Sequence, residues 1–287
     1  MTTPCTEYLK TEERTMIFVH DKGRMCNNIL QYGHFYAWGR EHGRQTMSMR
    51  FAYKYRYFHI CQTHYHNFFV YLFAKYASKW HILPTVDFDI NISNTQQQQE
   101  QRLFNHKNIV AKGWSAHWYD LFLKYKVEII NLFQFNEQVR QTPNQLFASL
   151  PKCDLRLGIH IRRGDYRKWH DGRYYYSDQQ YIDIIRRFLI LHENYTVQVF
   201  VCGNDPDIDE NAFLQAFPNI SISFPKGSPG EDLYLLSQCD RLIGAPSTFT
   251  LVASMYHDIP LYWIENPNYS FTDSDFGYFD QLFQQIK

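Results

Sequence analysis

Leu155-Arg-Leu-Gly-Ile-His-Ile-Arg162, followed at once by Arg163-Gly-Asp-Tyr166, is the stretch whose pattern decides the fold. Side chains alternate across a strand, so Leu157, Ile159 and Ile161 share one face while Gly158, His160 and Arg162 share the other. A strand of a parallel sheet is buried on both faces and normally reads as continuous hydrophobics, so a His and an Arg near its carboxyl end require a partner. An anionic ligand meets that requirement economically. A guanidinium is permanently charged and holds two phosphate oxygens at once, and Arg163-Gly164 then lets the chain turn sharply. The competing expectation is an Arg162 paired with a buried carboxylate.

Downstream, 196–202, 220–224, 241–245 and 260–264 read as strands and 178–193, 207–217, 231–238 and 248–257 as helices. This alternation predicts an α/β fold with a parallel, doubly wound sheet. Such a sheet binds ligands outside the carboxyl ends of its strands, which here are Arg162, Asn204 and 245–248. Upstream, 16–20 reads as a strand, Gly23 as a turn and 29–38 as a helix, a βα start. Residues 119–133 and 139–150 read as helices, with Pro143 expected early in the second. Residues 91–101, with four consecutive glutamines, are expected to form a surface loop, and 51–80 gives no assignment. A boundary near Pro151 divides the chain into an acceptor-side domain, 1–150, and a ligand-binding domain, 151–287.

Composition bounds the function. The 287 residues include 23 Phe, 22 Tyr and 6 Trp, enough for a large core and too many for a disordered chain. With 29 Lys+Arg against 29 Asp+Glu the net charge is zero. Such a chain lacks the basic footprint that drives binding to nucleic acid or an anionic membrane. The longest apolar run, 68–74, is seven residues, whereas a spanning helix needs roughly 20. No membrane span is expected, and peripheral membrane association is left open. The first residues show no basic-then-apolar leader, so a cytoplasmic location is expected. Six cysteines with no Cys-x-x-Cys pair indicate buried free thiols instead of a zinc or redox site.

His160-Ile-Arg162-Arg163-Gly-Asp165-Tyr166 resembles the signature of GDP-fucose-dependent fucosyltransferases, most closely the alpha-1,2-fucosyltransferases of glycosyltransferase family 11. Glu231-Asp232-Leu-Tyr-Leu-Leu-Ser-Gln-Cys-Asp240, followed by Leu242-Ile-Gly-Ala-Pro-Ser247-Thr248-Phe249, is similar to that family's later motif. Gly23-Arg-Met-Cys-Asn27-Asn28-Ile-Leu-Gln31-Tyr32 resembles its glycine-rich N-terminal loop, with Arg24, Cys26 and Asn28 as departures, and Gly113-Trp114 its middle segment. Further on, Thr248 and Thr250 replace serines and Leu251-Val252 an aromatic pair.

The resemblance implies a GT-B architecture of two Rossmann-like domains with parallel sheets. It also implies an inverting, metal-independent transfer of L-fucose from GDP-fucose to a glycan hydroxyl, the 2-OH of a terminal galactose, with no cofactor. In that reading Arg162 binds the donor's β-phosphate, helped by Arg163 and Asn27. His160 and Asp232 sit at the guanosine, and Ser247 and Thr248 contact the phosphate. An aspartate can accept from both the ring N–H and the exocyclic amine of guanine. Ser247 and Thr248 stand where a strand gives way to a helix, a setting that suits phosphate and N-capping equally. Just past the strand end, Asp165, His170 and Asp171 are candidates to take the acceptor's proton. Asp165 is more simply a brace for Arg162 and Arg163. His170, with an ordinary pKa near 6.5, suits proton transfer.

Two rival functions are kept. Asp-x-Asp pairs (Asp87/Asp89, Asp205/Asp207, Asp207/Asp209, Asp273/Asp275) suggest a metal-dependent glycosyltransferase using another nucleotide sugar, although Asp205-Pro206-Asp207 more simply starts a helix. Arg163-Gly164-Asp165 is also an adhesion tripeptide, which suggests a non-catalytic adhesion or carbohydrate-binding protein. His64-x-His66, near His59, is read as chance clustering.

Overall fold

The structure, a computed structural model, describes residues 15–20, 22–89, 96–203 and 205–286. Asn204, the first residues read for a leader, and 91–95 lie outside the described residues. Two parallel sheets organise the rest. In the N-terminal half β1 (Met16–Val19), α1 (Met25–Glu41), β2 (Gln45–Ser48), α2 (Phe68–Lys79), β3 (Thr85–Asp87), α3 (Gln96–Asn105) and β4 (Asn108–Lys112) alternate. Their sheet runs β2-β1-β4-β3, every pairing parallel. Three helices follow: α4 (Tyr119–Lys124), α5 (Lys126–Leu132) and α6 (Glu137–Ser149). The second sheet is built from β5 (Leu155–Ile161), α7 (Asp178–Leu191), β6 (Val197–Gly203), α8 (Glu210–Ala216), β7 (Ser221–Ser223), α9 (Pro229–Leu236), β8 (Arg241–Gly244), α10 (Thr248–Met255) and β9 (Leu261–Trp263). Its order is β7-β6-β5-β8-β9, again all parallel. A short α11 (Phe279–Leu282) closes the fold.

This topology locates the crevice. From β5 the sheet grows outward through β6 to β7, and the chain then returns past β5 to add β8 and β9. The strand order therefore reverses between β5 and β8, whose carboxyl ends carry Arg162 and the 245–248 turn. The N-terminal sheet reverses in the same way between β1 and β4. α1, which leaves the end of β1, meets the second sheet's loops directly. Thr248 Oγ1 donates to Asn27 Oδ1 at 2.5 Å.

Several expectations are corrected. Gln96–Asn105 is a helix, since glutamines are sound helix formers and Gln96 Nε2 reaches Glu100 at 3.1 Å and the His117 carbonyl at 2.9 Å. The 119–133 segment is two helices broken at Tyr125. Pro143 lies inside α6, not in its first turn, so the Val139 carbonyl loses its helical donor there. α8 starts only at Glu210, capped by Asp209, because Asp205 is drawn instead to Arg163. Three short strands, β2 to β4, went unread, being three to five residues long and partly polar.

Each sheet lies on one side of Pro151, yet the hydrophobic core is shared. One buried cluster joins Phe35, Trp38, Phe122 and Phe133 to Leu233, Leu251, Phe279 and Phe283. Phe283 stacks on His34 at 5.2 Å and packs on Phe122 at 4.5 Å, so the end of the chain folds back onto the N-terminal half. Among the described residues no helix is long and apolar enough to cross a membrane. Cys26, Cys202 and Cys239 are buried free thiols.

Gly158 sets how closely α9 approaches β5. A Cβ there would stand 2.7 Å from both Leu236 and Leu242 and 3.1 Å from the Cys239 sulfur, all of them buried. Gly158→Ala should therefore cost about 1–3 kcal/mol through overpacking, read as a lower denaturant midpoint at unchanged slope. An unchanged midpoint would show that α9 moves away without penalty.

Candidate active site

Arg162 and Arg163 leave β5 in succession, and Gly164, at φ 68°, makes the turn. Their fates differ. Arg163 is closed off: Nε donates to the Tyr176 carbonyl at 3.0 Å, Nη2 pairs with Asp178 at 2.6 Å and Nη1 with Asp205 at 3.2 Å. The structure thus makes Arg163 a brace between β5, α7 and the loop after β6, not a donor-binding residue. The same burial means that Arg163-Gly164-Asp165 is not displayed as an adhesion tripeptide.

Arg162 pairs instead with Asp165, Nη2 lying 2.7 Å from Oδ1 and 2.8 Å from Oδ2, with its guanidinium 5.0 Å from the Tyr166 ring centre. The carboxylate is half exposed, not buried as the competing expectation required, and it also faces Arg24 Nη2 at 3.5 Å. Two guanidiniums converge on one carboxylate. Burial first, then the Arg24 charge, press the Arg162 pKa below its ordinary value. An arginine stays charged regardless, so the site carries surplus positive charge suited to an anion. Asp165 braces Arg162 and Arg24, whereas Arg163 was its expected second partner. The Tyr166 hydroxyl donates to the Pro246 carbonyl at 2.6 Å and ties this turn to the one after β8.

At that second turn Ser247 is the N-cap of α10, its Oγ accepting from Thr250 N at 3.3 Å and sharing a hydrogen bond with the Thr250 hydroxyl at 3.1 Å. Capping is thus the role its side chain already fills. Thr248 bonds Asn27, and the first-turn amides of α10 have no intrahelical acceptor.

His160 is buried, and its ring stacks on Phe249 at 4.5 Å and 13°. Burial, then the Arg162 charge, lower its pKa to about 3, so it is neutral, and its Nδ1 has no hydrogen-bond partner. Asp232 lies in the first turn of α9, past the Ser228/Glu231 capping box. Its Oδ1 is likewise buried without a partner. Burial, then Glu231, push its pKa up to about 7 against a hydrogen bond from the Gly227 amide. Cys202, the register partner of His160 on β6, feels the Asp232 charge. Two polar atoms, one near the carboxyl end of β5 and one in the first turn of α9, are thus left without partners, an arrangement that calls for a ligand with hydrogen bonds to give.

His170 is not brought into this cluster. It sits exposed at φ 47°, its ring against Trp169 at 4.3 Å, and among the described residues its side chain makes no hydrogen bond or ion pair. Among the described residues no group of three or more His, Cys, Asp or Glu converges. Asp205 holds Arg163, and Asp87 pairs with Lys112 at 3.1 Å. His66 is structural, its Nε2 accepting from the Ser48 amide at 2.9 Å. Sequence reasoning missed Arg24 and Phe249 as site residues. Phe249 stood inside the quoted later motif, and Arg24 was visible only as a departure from a glycine-rich loop.

Residues 5–276 match the sequence profile described as Glycosyl transferase family 11. The chain belongs to that family. Galactoside alpha-(1,2)-fucosyltransferase 2 of Hylobates lar is 23% identical over 290 residues, covering 92% of this chain and 75% of the relative. Among solved structures, POFUT1 in complex with GDP-fucose superposes with a TM-score of 0.61 at 10% identity, over 86% of this chain and 95% of that one. An arginine-to-lysine mutant of Arabidopsis thaliana FUT1 in complex with GDP gives 0.59 at 14%, over 94% and 75%. The alpha-1,6-fucosyltransferase NodZ soaked with GDP-fucose gives 0.55 at 15%, over 89% and 97%. The fold of this family 11 chain is accordingly GT-B, two parallel-sheet halves facing a crevice.

The raised pKa of Asp232 makes a prediction that needs no ligand. Its folded value, about 7, exceeds the unfolded value near 4, so its contribution to stability is complete below pH 4 and is lost as pH rises through 7. Relative to Asp232→Asn, the wild type should lose about 3–4 kcal/mol of unfolding free energy between those limits and nothing further above. Parallel stability curves for the two proteins would refute the buried carboxyl.

Proposed function

We propose that the chain is a fucosyltransferase that transfers L-fucose from GDP-fucose to a glycan hydroxyl, by inversion, forming an alpha-1,2 linkage to galactose. The observation that carries the reading is Arg162, a nearly buried arginine at the β5/β8 switch point whose carboxylate partner is shared and half exposed. Family membership and the GDP- and GDP-fucose-bound proteins of like fold support the donor. The alpha-1,2 linkage rests on the Hylobates lar relative.

Each residue then has a task. Asp232 accepts from the guanine ring N–H and exocyclic amine, satisfying its orphaned oxygen, while neutral His160 offers Nδ1 from its place on Phe249. Arg162 takes the β-phosphate, with Arg24 adding charge and the α10 amides adding donors. Thr248 and Asn27 hold α10 against α1 at that position. The acceptor oxygen attacks the anomeric carbon as the bond to the β-phosphate oxygen breaks, and the electron pair leaves on GDP. Negative charge grows on the diphosphate as this happens, so a fixed cation there stabilises the transition state more than the ground state. Asp165, at the edge of the phosphate position, is better placed than His170 to receive the acceptor's proton.

Arg162→Ala should keep the fold and lower kcat by about 10²–10³, and Arg162→Lys nearly as much, because a point charge does not replace a two-pronged donor. Near-normal turnover of a folded Arg162→Ala protein would sink the assignment. Calorimetry should show binding of GDP and GDP-fucose but not UDP. Turnover should survive excess EDTA, and loss of activity with chelator followed by recovery with Mn²⁺ would favour the metal-dependent rival.

A further inference from the structure

α2 packs on the N-terminal sheet through Val70, Ala74 and Ala77, over Phe18, Met47 and Val110. About a quarter-turn round the helix from that stripe stand Phe69, Phe73, Tyr76 and Trp80, four, three and four residues apart, which makes one ridge along the helix, with Phe73 meeting Phe18 edge-on at 6.4 Å. All four are exposed, Phe69 by 80% and Trp80 by 66%, and Ile82, just past the helix end, is exposed too. Single exposed aromatics are ordinary, whereas a continuous ridge marks a contact surface.

Cations flank it. Lys75 Nζ lies 5.6 Å from the Tyr71 ring and 5.7 Å from the Tyr76 ring, and Lys79 follows one turn on. Tyr71 packs on Tyr53 at 4.4 Å, and the Tyr53 hydroxyl accepts from Arg50 at 2.9 Å. Between Glu41 and Asp87 the sequence holds six Lys or Arg (Arg44, Arg50, Lys54, Arg56, Lys75, Lys79) and no Asp or Glu, in a chain whose charges balance only as a whole. This charge pattern selects the occupant. A second copy docked by two-fold symmetry would set Lys75 and Lys79 against their own equivalents, and the 42–86 stretch offers no acid to offset them. An anionic lipid surface meets both parts: rings of Phe, Tyr and Trp sit at the headgroup level, and lysines reach lipid phosphates.

We propose that α2 docks the protein peripherally on an anionic membrane, with Phe69, Phe73, Tyr76 and Trp80 entering the headgroup layer and Lys75 and Lys79 on lipid phosphates. A helix of twelve residues lies in the interface plane and does not span. The proposal stands apart from the sugar-transfer reading.

The test is vesicle flotation of the full chain with phosphatidylcholine alone and with phosphatidylcholine mixed with phosphatidylglycerol. Wild type should float with the mixed vesicles, far less with the neutral ones, and be released by salt. Phe69→Ser, Phe73→Ser and Trp80→Ser combined should lower partitioning by about tenfold or more. Lys75→Gln with Lys79→Gln, which leaves the core untouched should the first variant fail to fold, should lower it by about fivefold per lysine on anionic vesicles only. Absence of flotation, equal flotation on both vesicle types, or a wild-type dimer that the serine variant abolishes without any lipid binding would overturn the proposal.

Discussion

Two guanidiniums must be accommodated at the end of one central strand, and much of the site follows from how differently that is done. A strand sends consecutive residues to opposite faces. Arg163 goes where α7 and the loop after β6 supply Asp178 and Asp205, and its donors are spent inside the protein. Arg162 goes to the crevice, where the available carboxylate is half exposed and already faces Arg24. A fully paired buried cation beside an underpaired one is a division of labour. The first fixes the turn, so the second is held in place without being neutralised.

The crevice grades chemically from one end to the other. At the α9 end lie a neutral imidazole and a carboxyl whose burial holds a proton until about pH 7, and both leave polar atoms unused. Where β5 and β8 give way to their turns lie surplus positive charge and helix amides. A ligand with hydrogen-bond donors at one end and negative charge at the other satisfies both ends at once, and a guanosine diphosphate has that polarity. Neutralising either end internally would cost the site its selectivity: an acid fully buried on Arg162 would remove the demand for phosphate.

The alternation of strands and helices after Pro151 was legible because the central strands β5, β6 and β8 carry apolar runs with helical patterns between them, and Arg162 was legible because a charge does not belong on such a strand. What escaped notice depends on contacts remote in sequence. Arg163 could be called structural only once Asp178 and Asp205 were known to converge on it, and Ser247's capping only from the angle at which α10 begins. Glutamines at 96–99 looked like a loop because polarity was read without helix propensity. Net charge is a coarse guide for a different reason. A sum over the chain is zero, while the 42–86 stretch carries only cations, and a membrane or a ligand meets the local surface, not the sum.

The shared core constrains how a donor could enter. Behind the crevice α1 packs on α10, α6 on α9, and Phe279 and Phe283 fill the N-terminal half from the far end of the chain. Swinging the halves apart would expose this apolar surface at roughly 25 cal/mol per Å². Across the crevice itself the contacts are lighter: the Asn27–Thr248 hydrogen bond and the Arg24–Asp165 pair, the latter between half-exposed side chains and therefore weak. Access is therefore cheapest through side-chain release at Arg24 and Asp165, with the two sheets staying in register. A diphosphate that displaces Asp165 from Arg162 frees that side chain at the same moment, leaving it unpaired at the edge of the site just as an acceptor hydroxyl needs to lose its proton.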